Sequence, residues 1–276
     1  MRGRAIAVRS FTWLLVVLWL LPLFGLFMTS VRPYEEVAMG WWHFKDATFT
    51  VAKYKEALTF PLAPLWKGIL NSLLVTIPGT VLPITVAFFA GYALSRHKAW
   101  YSDALLYAFL PFTAMPAEAI IIPLYDTFSN IGLMGSRFAV ILAISARAVP
   151  WVTLFFRNYF DSLPRIFEEA AAVDGATYWV ILSRVIIPLS KPAVISLSVM
   201  QFIGAWNTFI YPLVFLQPFP EKWTAVQMVA TLKAGVALDW SLVSAGSILV
   251  ATIPLLVFLF LNRYYVKGLL GSGEWG

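Results

Sequence analysis

Apolar residues fill six long runs along the chain, at about 11–28, 69–94, 104–122, 138–156, 193–216 and 244–261, separated by polar stretches. A helix needs about 20 residues to cross the hydrocarbon core of a bilayer, and each run meets that length, the first only near the lower limit. The pattern predicts an all-α membrane protein with six transmembrane helices in a single transmembrane domain covering 1–276.

Six spans place both termini on one side. Of 20 Lys and Arg, 11 fall on the segments that share the side of the termini, 8 on the opposite side, and Arg147 inside a span. Arg2, Arg4, Arg9, Arg96, Lys98, Arg157, Arg263 and Lys267 lie close to span ends, where positive charge is retained in the cytoplasm, so the expected topology is N-in, C-in. The outer side then receives a loop at about 29–68, with Trp41 and Trp42 suited to the interface and a short amphipathic helix at 51–58, and a second loop at 217–243 that begins at Pro218 and Pro220.

Composition agrees with this picture. The 276 residues are 60% hydrophobic and 12% charged, against about 25% charged in soluble domains. Net charge is +6, which the retained cytoplasmic Lys and Arg explain without a nucleic-acid partner. The absence of cysteine removes disulfides and thiolate metal sites, and His43 and His97 are too few and too far apart for a metal cluster. Arg2, Arg4 and Arg9 before an apolar run resemble a secretory signal, but no small-residue cleavage site follows at 29–32, so the run is read as a retained span.

One connection breaks the greasy pattern, the cytoplasmic segment at about 161–192 between spans four and five. Asp161 or Ser162 is placed to cap a helix with Pro164 in its first turn. This helix contains Glu168, Glu169 and the alanines 170–172, and Gly175 supplies the backbone freedom to stop it. A second helix starts near Thr177, with Tyr178, Trp179, Ile181, Leu182, Val185 and Ile186 on an apolar face opposite Thr177, Ser183 and Arg184. Pro188 and Pro192 are expected to interrupt helical geometry before the next span. Asp174 either ends the first helix or caps the second. An amphipathic hairpin resting on headgroups would be rich in Lys and Arg. Glu168, Glu169 and Asp174 at its centre favour a protein partner.

Glu169–Ala170–Ala171, Gly175 six positions after the glutamate, Val185 and Ile187–Pro188 resemble the EAA signature of ABC importer permeases. Asn71–Ser72–Leu73, the run Gly91 to Arg96, Ile122–Pro123–Leu124–Tyr125, Ile131–Gly132–Leu133, Ala205–Trp206–Asn207 and Tyr211–Pro212–Leu213 are similar to the carbohydrate-importer permeases of the MalG-like kind. The resemblance implies that the 161–192 segment is a coupling helix docked in a groove of a cytosolic ATPase, with Glu168, Glu169, Ala170, Ala171, Asp174, Gly175 and Pro188 as its coupling residues. It further implies a second, different permease, two copies of the ATPase subunit and an extracytoplasmic solute-binding protein that delivers a maltose- or trehalose-like sugar. ATP and Mg then belong to the partner ATPase and no cofactor to this chain, which is not itself an enzyme. In the related maltose system the partner permease holds most of the sugar contacts. The tail 271–276, less basic than the family's usual ending, departs from the pattern.

Glu118 and Arg147 are ionisable groups at membrane depth and thus candidate pathway residues, placed to pair with each other or to contact substrate. Gln201, Trp206 and Asn207 combine an aromatic face with amides, chemistry that suits a sugar ring or, alternatively, interhelical packing. Pro78, Pro83, Pro111, Pro116, Pro150, Pro212 and Pro254 lie in or near spans and permit bending. No phosphate loop of the Gly-x-x-x-x-Gly-Lys type is present, and the Gly-rich 271–276 stretch has no following helix to make a dinucleotide site. Glycerol phosphate or a polyol is the alternative cargo, and an ion-coupled secondary transporter the alternative class.

Overall fold

The computed structural model describes residues 2–45, 47–97, 102–232 and 239–270, with side chains at 2–7, 103, 106 and 262–270 excepted. Lys98, the 271–276 tail and the side chains of Arg2, Arg4, Arg263 and Lys267 therefore lie outside the described residues. The described chain is helical. Five helices are long and apolar enough to cross a membrane, at Val8–Ser30, Leu65–Arg96, Arg137–Ser162, Tyr178–Trp206 and Trp240–Leu261, and a bent pair raises the number to six if it is one span.

That bent pair corrects the expected third span. Instead of one helix over 104–122, Ser102–Ala114 and Ala117–Asn130 meet at Met115–Pro116, and Tyr107–Ala114 is bent by 99° from Ala117–Asn130. Pro116 has no N–H to continue the ladder, and its ring forces Met115 out of the helical region. By contrast Pro22, Pro78, Pro83, Pro150 and Pro254 are absorbed inside continuous helices.

The chain divides into two compact units. The first holds residues up to Leu70 and 224–253. Its N-terminal helix is almost wholly uncovered, with 6% of the spanning window buried. The loop after that helix folds around Arg32, which is 1% exposed. Its guanidinium donates to Glu36 Oε2 at 3.0 and 3.1 Å, to the Trp41 carbonyl at 3.2 Å and to the His43 carbonyl at 2.7 Å. Glu36 in turn accepts from the Thr48 backbone and hydroxyl. The Thr48 hydroxyl, with Arg32 beside it, holds the Glu36 carboxyl below its usual value. The predicted amphipathic helix appears as Ala52–Thr59, where Lys53 pairs with Glu56 at 2.9 Å and Asp239 at 2.7 Å.

The second unit, 71–223 and 254–276, is built on an aromatic core. Phe88 makes edge contacts with Phe156 and Phe160 at 5.3 and 5.2 Å, and Tyr92 with Phe160 at 5.2 Å. Gly91 lets the two helices approach this closely: a Cβ there would stand 2.7 Å from Phe156 Cβ and 2.8 Å from the Arg157 nitrogen. At the other end of the same helix pair Asn71 ties down 217–223, donating to the Glu221 and Trp223 carbonyls at 2.9 Å each while accepting from Arg137 at 2.7 Å.

Candidate functional site

The 161–192 segment folds as a helix, a tight turn and a second helix, with different boundaries from those expected. Asp161 and Ser162 do not start the first helix, because the preceding helix runs through them to Ser162 and Pro164 lies in the linker. Asp161 instead accepts from Ser95 Oγ at 2.7 Å and pairs with Arg157 at 3.2 Å. The first helix is Ile166–Val173. It ends in a Schellman motif, with the Gly175 N–H donating to the Ala172 carbonyl and the Ala176 N–H to the Ala171 carbonyl, both at 3.0 Å. Gly175 has φ +81°, and a Cβ added there would meet nothing within 4 Å. Backbone geometry alone demands the glycine.

The second helix does not stop at the prolines. Tyr178–Trp206 is continuous, with a π turn at Leu182–Ile186 immediately before Pro188. The wider turn redistributes the carbonyls that Pro188, lacking an N–H, leaves unpaired, and it moves the ring clear of the preceding turn. Pro188 and Pro192 are thus inside the helix, and the hairpin's second arm is the first part of a spanning helix.

The acidic residues divide. Glu168 is turned inward: it accepts from Tyr92 Oη at 2.8 Å and from Arg96 Nε at 2.7 Å. Arg96 also donates to the Phe160 carbonyl at 2.7 Å and the Leu163 carbonyl at 3.2 Å, so one guanidinium caps the preceding helix and holds the next. Glu169, Ala170 and Asp174 are exposed, beside Val173 and Trp179 at 87% and 70% exposure.

The residues expected in a transport pathway are partly gathered. A cavity of about 190 Å³ in the second unit is lined by Arg147, Trp151, Gln201, Gly204, Thr208 and Tyr211, among others. Gln201 is buried, and its amide donates to the Gly79 carbonyl at 3.0 Å. The helix breaks at Asn207–Phe209 before resuming as Ile210–Leu216, so the predicted span 193–216 is two pieces. Asn207 is exposed at the break. Trp206 is 1% exposed and stacked on Phe202 at 6.0 Å, away from the cavity wall; the aromatic side chains that line the cavity are Trp151 and Tyr211. Glu118, in the first turn of Ala117–Asn130, makes no ion pair with Arg147 among the described residues. Sequence reasoning missed Tyr211 and Trp151, whose roles depend on which way each helix is rotated. A larger groove of about 400 Å³ in the first unit, lined by Trp41, Trp42 and Trp240, has no ionisable side chain.

Comparison with known proteins gives these features a context. A probable ABC transporter permease protein of Pyrococcus horikoshii is 39% identical over 94% of both chains. The alpha-glucoside transport system permease protein of Rhizobium meliloti is 32% identical over 83% of this chain and 61% of its own. The fold matches a bacterial ABC transporter that imports the acidic polysaccharide alginate, at TM-score 0.77 and 24% identity over 96% of each chain. Residues 79–270 match the family described as binding-protein-dependent transport system inner membrane component. The alternative of an ion-coupled carrier is thereby set aside: the chain belongs to this family, the permease subunits of ABC importers.

Proposed function

We propose that this permease moves a sugar or oligosaccharide into the cell by alternating access, driven by ATP hydrolysis on partner subunits. The chain crosses the bacterial or archaeal cytoplasmic membrane six times as one domain, N-in and C-in, with the pair Ser102–Ala114 and Ala117–Asn130 as a broken third span. A second, different permease completes the pathway, two ATPase subunits bind below, and an extracytoplasmic binding protein delivers the solute. Maltose- and trehalose-like sugars are the favoured cargo, which the alpha-glucoside relative supports.

The observation that carries the reading is the division of acids on the helix Ile166–Val173. Glu168 is anchored to Arg96 within the chain, which leaves Glu169, Asp174 and the exposed Val173 to face a partner. The anchor makes the segment rigid enough to transmit a push, and the Gly175 turn fixes the angle at which the push enters the spanning helix. Closure of the ATPase dimer then biases the spans between two arrangements. Glu118, Arg147, Gln201 and Asn207 belong to the pathway or its walls, with Trp206 packed on Phe202 behind them. An arginine uncovered at mid-span is costly against lipid, roughly 3 kcal/mol on insertion scales, which supports a protein or water-filled cavity over that face.

Purification from the native membrane tests the assignment. An ATPase and a second permease are expected to copurify, and the assembly in vesicles should take up sugar only with ATP and binding protein. A chain that transports alone would sink the reading.

A further inference from the structure

We infer that the cavity beside Arg147 is a subsite of this chain's own for one neutral, hydroxyl-rich ring of the cargo, an inference that rests on the carbohydrate reading above. Three independent observations carry it. First, Tyr211 is 2% exposed, and its hydroxyl has no hydrogen-bond partner among the described residues although the side chain lines the cavity. A buried hydroxyl without a partner is unfavourable and marks a place for a missing polar group. Second, the backbone is non-helical at Asn207–Phe209, beside Thr208 on the cavity wall. Irregular backbone at membrane depth persists where it lines a cavity, and broken helices point to transport sites. Third, a Cβ built on Gly204 meets nothing within 4 Å, so the wall is open there.

The chemistry selects the occupant. A cavity of about 190 Å³ is enough for one sugar ring. The wall offers donors from Arg147, acceptors from the Gln201 carbonyl oxygen and Thr208 Oγ1, and both from Tyr211 Oη. Hydroxyl groups, which donate and accept, use that mixture; an anion would need donors only. Arg147 on the wall opposes a cation. Trp151 supplies an apolar ring for the sugar's C–H face.

The test uses the whole importer in proteoliposomes, with radiolabelled maltose, trehalose and glucose as probes and saturating binding protein. Gly204→Met fills the open space with a good helix former, and Tyr211→Phe removes one hydroxyl. The expected result is that sugar moved per ATP hydrolysed falls about tenfold in Tyr211→Phe, one lost hydrogen bond's worth, and further in Gly204→Met, with the partner subunits still copurifying. If wild type carries a probe and Tyr211→Phe stays within twofold of it, the subsite is overturned and the carbohydrate reading survives. If wild type carries none of the probes but carries glycerol phosphate, both fall together.

Discussion

Arg96 donates from Nε to Glu168 Oε1 at 2.7 Å, joining the end of the helix Leu65–Arg96 to the exposed helix Ile166–Val173 across 72 positions of sequence. The pair is well covered, with side-chain exposures of 8% and 16%. Breaking one partner of a covered pair costs on the order of 3 kcal/mol because the other charge is left without compensation. Arg96→Ala is therefore expected to lower uptake more than tenfold while ATP hydrolysis continues. Arg96→Lys restores charge without the fork that reaches two carbonyls and a carboxylate, and should recover only part. Uptake and hydrolysis measured together in vesicles check this; equal loss of both in Arg96→Ala would indicate collapse of the assembly instead.

Gly175→Ala should cost about 1 kcal/mol, the penalty of a side chain in the left-handed region, and leave uptake measurable. Gly175→Pro is different in kind. Its ring fixes φ near −65° and deletes the N–H that donates to Ala172, so the Schellman turn cannot form. The expected outcome is an inserted protein that either hydrolyses ATP without uptake or loses the ATPase on purification. Normal uptake would contradict the role given to the turn.

At Gly91 two effects compete. Alanine gains about 1 kcal/mol of helix propensity, but its Cβ meets backbone and Cβ atoms of Phe156 and Arg157 that cannot rotate away. Overpacking of this kind costs roughly 1–3 kcal/mol, and the clash wins for valine, which adds volume without the propensity gain. Gly91→Val should lower the midpoint of thermal unfolding in detergent, and an unchanged midpoint would refute the close crossing.

Acid should loosen the outer loop. The Glu36 carboxyl is held below its ordinary value, so its contribution is fully present above the unfolded value of about 4.3 and is lost as pH falls through the folded one. Hydrogen exchange across 31–45 is expected to speed up below about pH 4, and Glu36→Gln should remove most of that pH dependence. A loop whose exchange tracks only the chemical rate would argue against the Arg32–Glu36 anchor.

The sequence made some of this legible and concealed the rest for physical reasons. Long apolar runs and a glycine six residues after Glu169 are local signals: the glycine found its turn, and the runs found their helices except where the third and fifth are broken. Proline is not a local signal in a membrane span: Pro116 breaks a helix and Pro188 does not, and the difference lies in whether the neighbouring turn can widen. The acids 168 and 169 look equivalent in sequence, yet one helical step separates an anchored carboxylate from an exposed one. Trp206 turns away from the cavity and Trp151, which the sequence did not single out, lines it, because helix rotation is left undetermined by periodicity in runs apolar on every side. Arg32, one of five cations in the outer loop 29–68, gave no sign that Glu36 and the Trp41 and His43 carbonyls gather around it.

The π turn at Leu182–Ile186 also stores one residue without disturbing angular phase. An α turn takes about 3.6 residues and an i→i+5 turn about one more, so the extra residue is taken up within a single turn. Deleting one residue there would restore a regular helix and leave Tyr178, Trp179 and the docking surface near their present angle to the cavity wall at Gln201 and Gly204. Deleting one residue in the regular stretch 187–200 would instead swing them about 100° around the axis. The turn is therefore a take-up point for length, and an insertion or deletion within 187–200 should disturb coupling far more than a single deletion within 182–186.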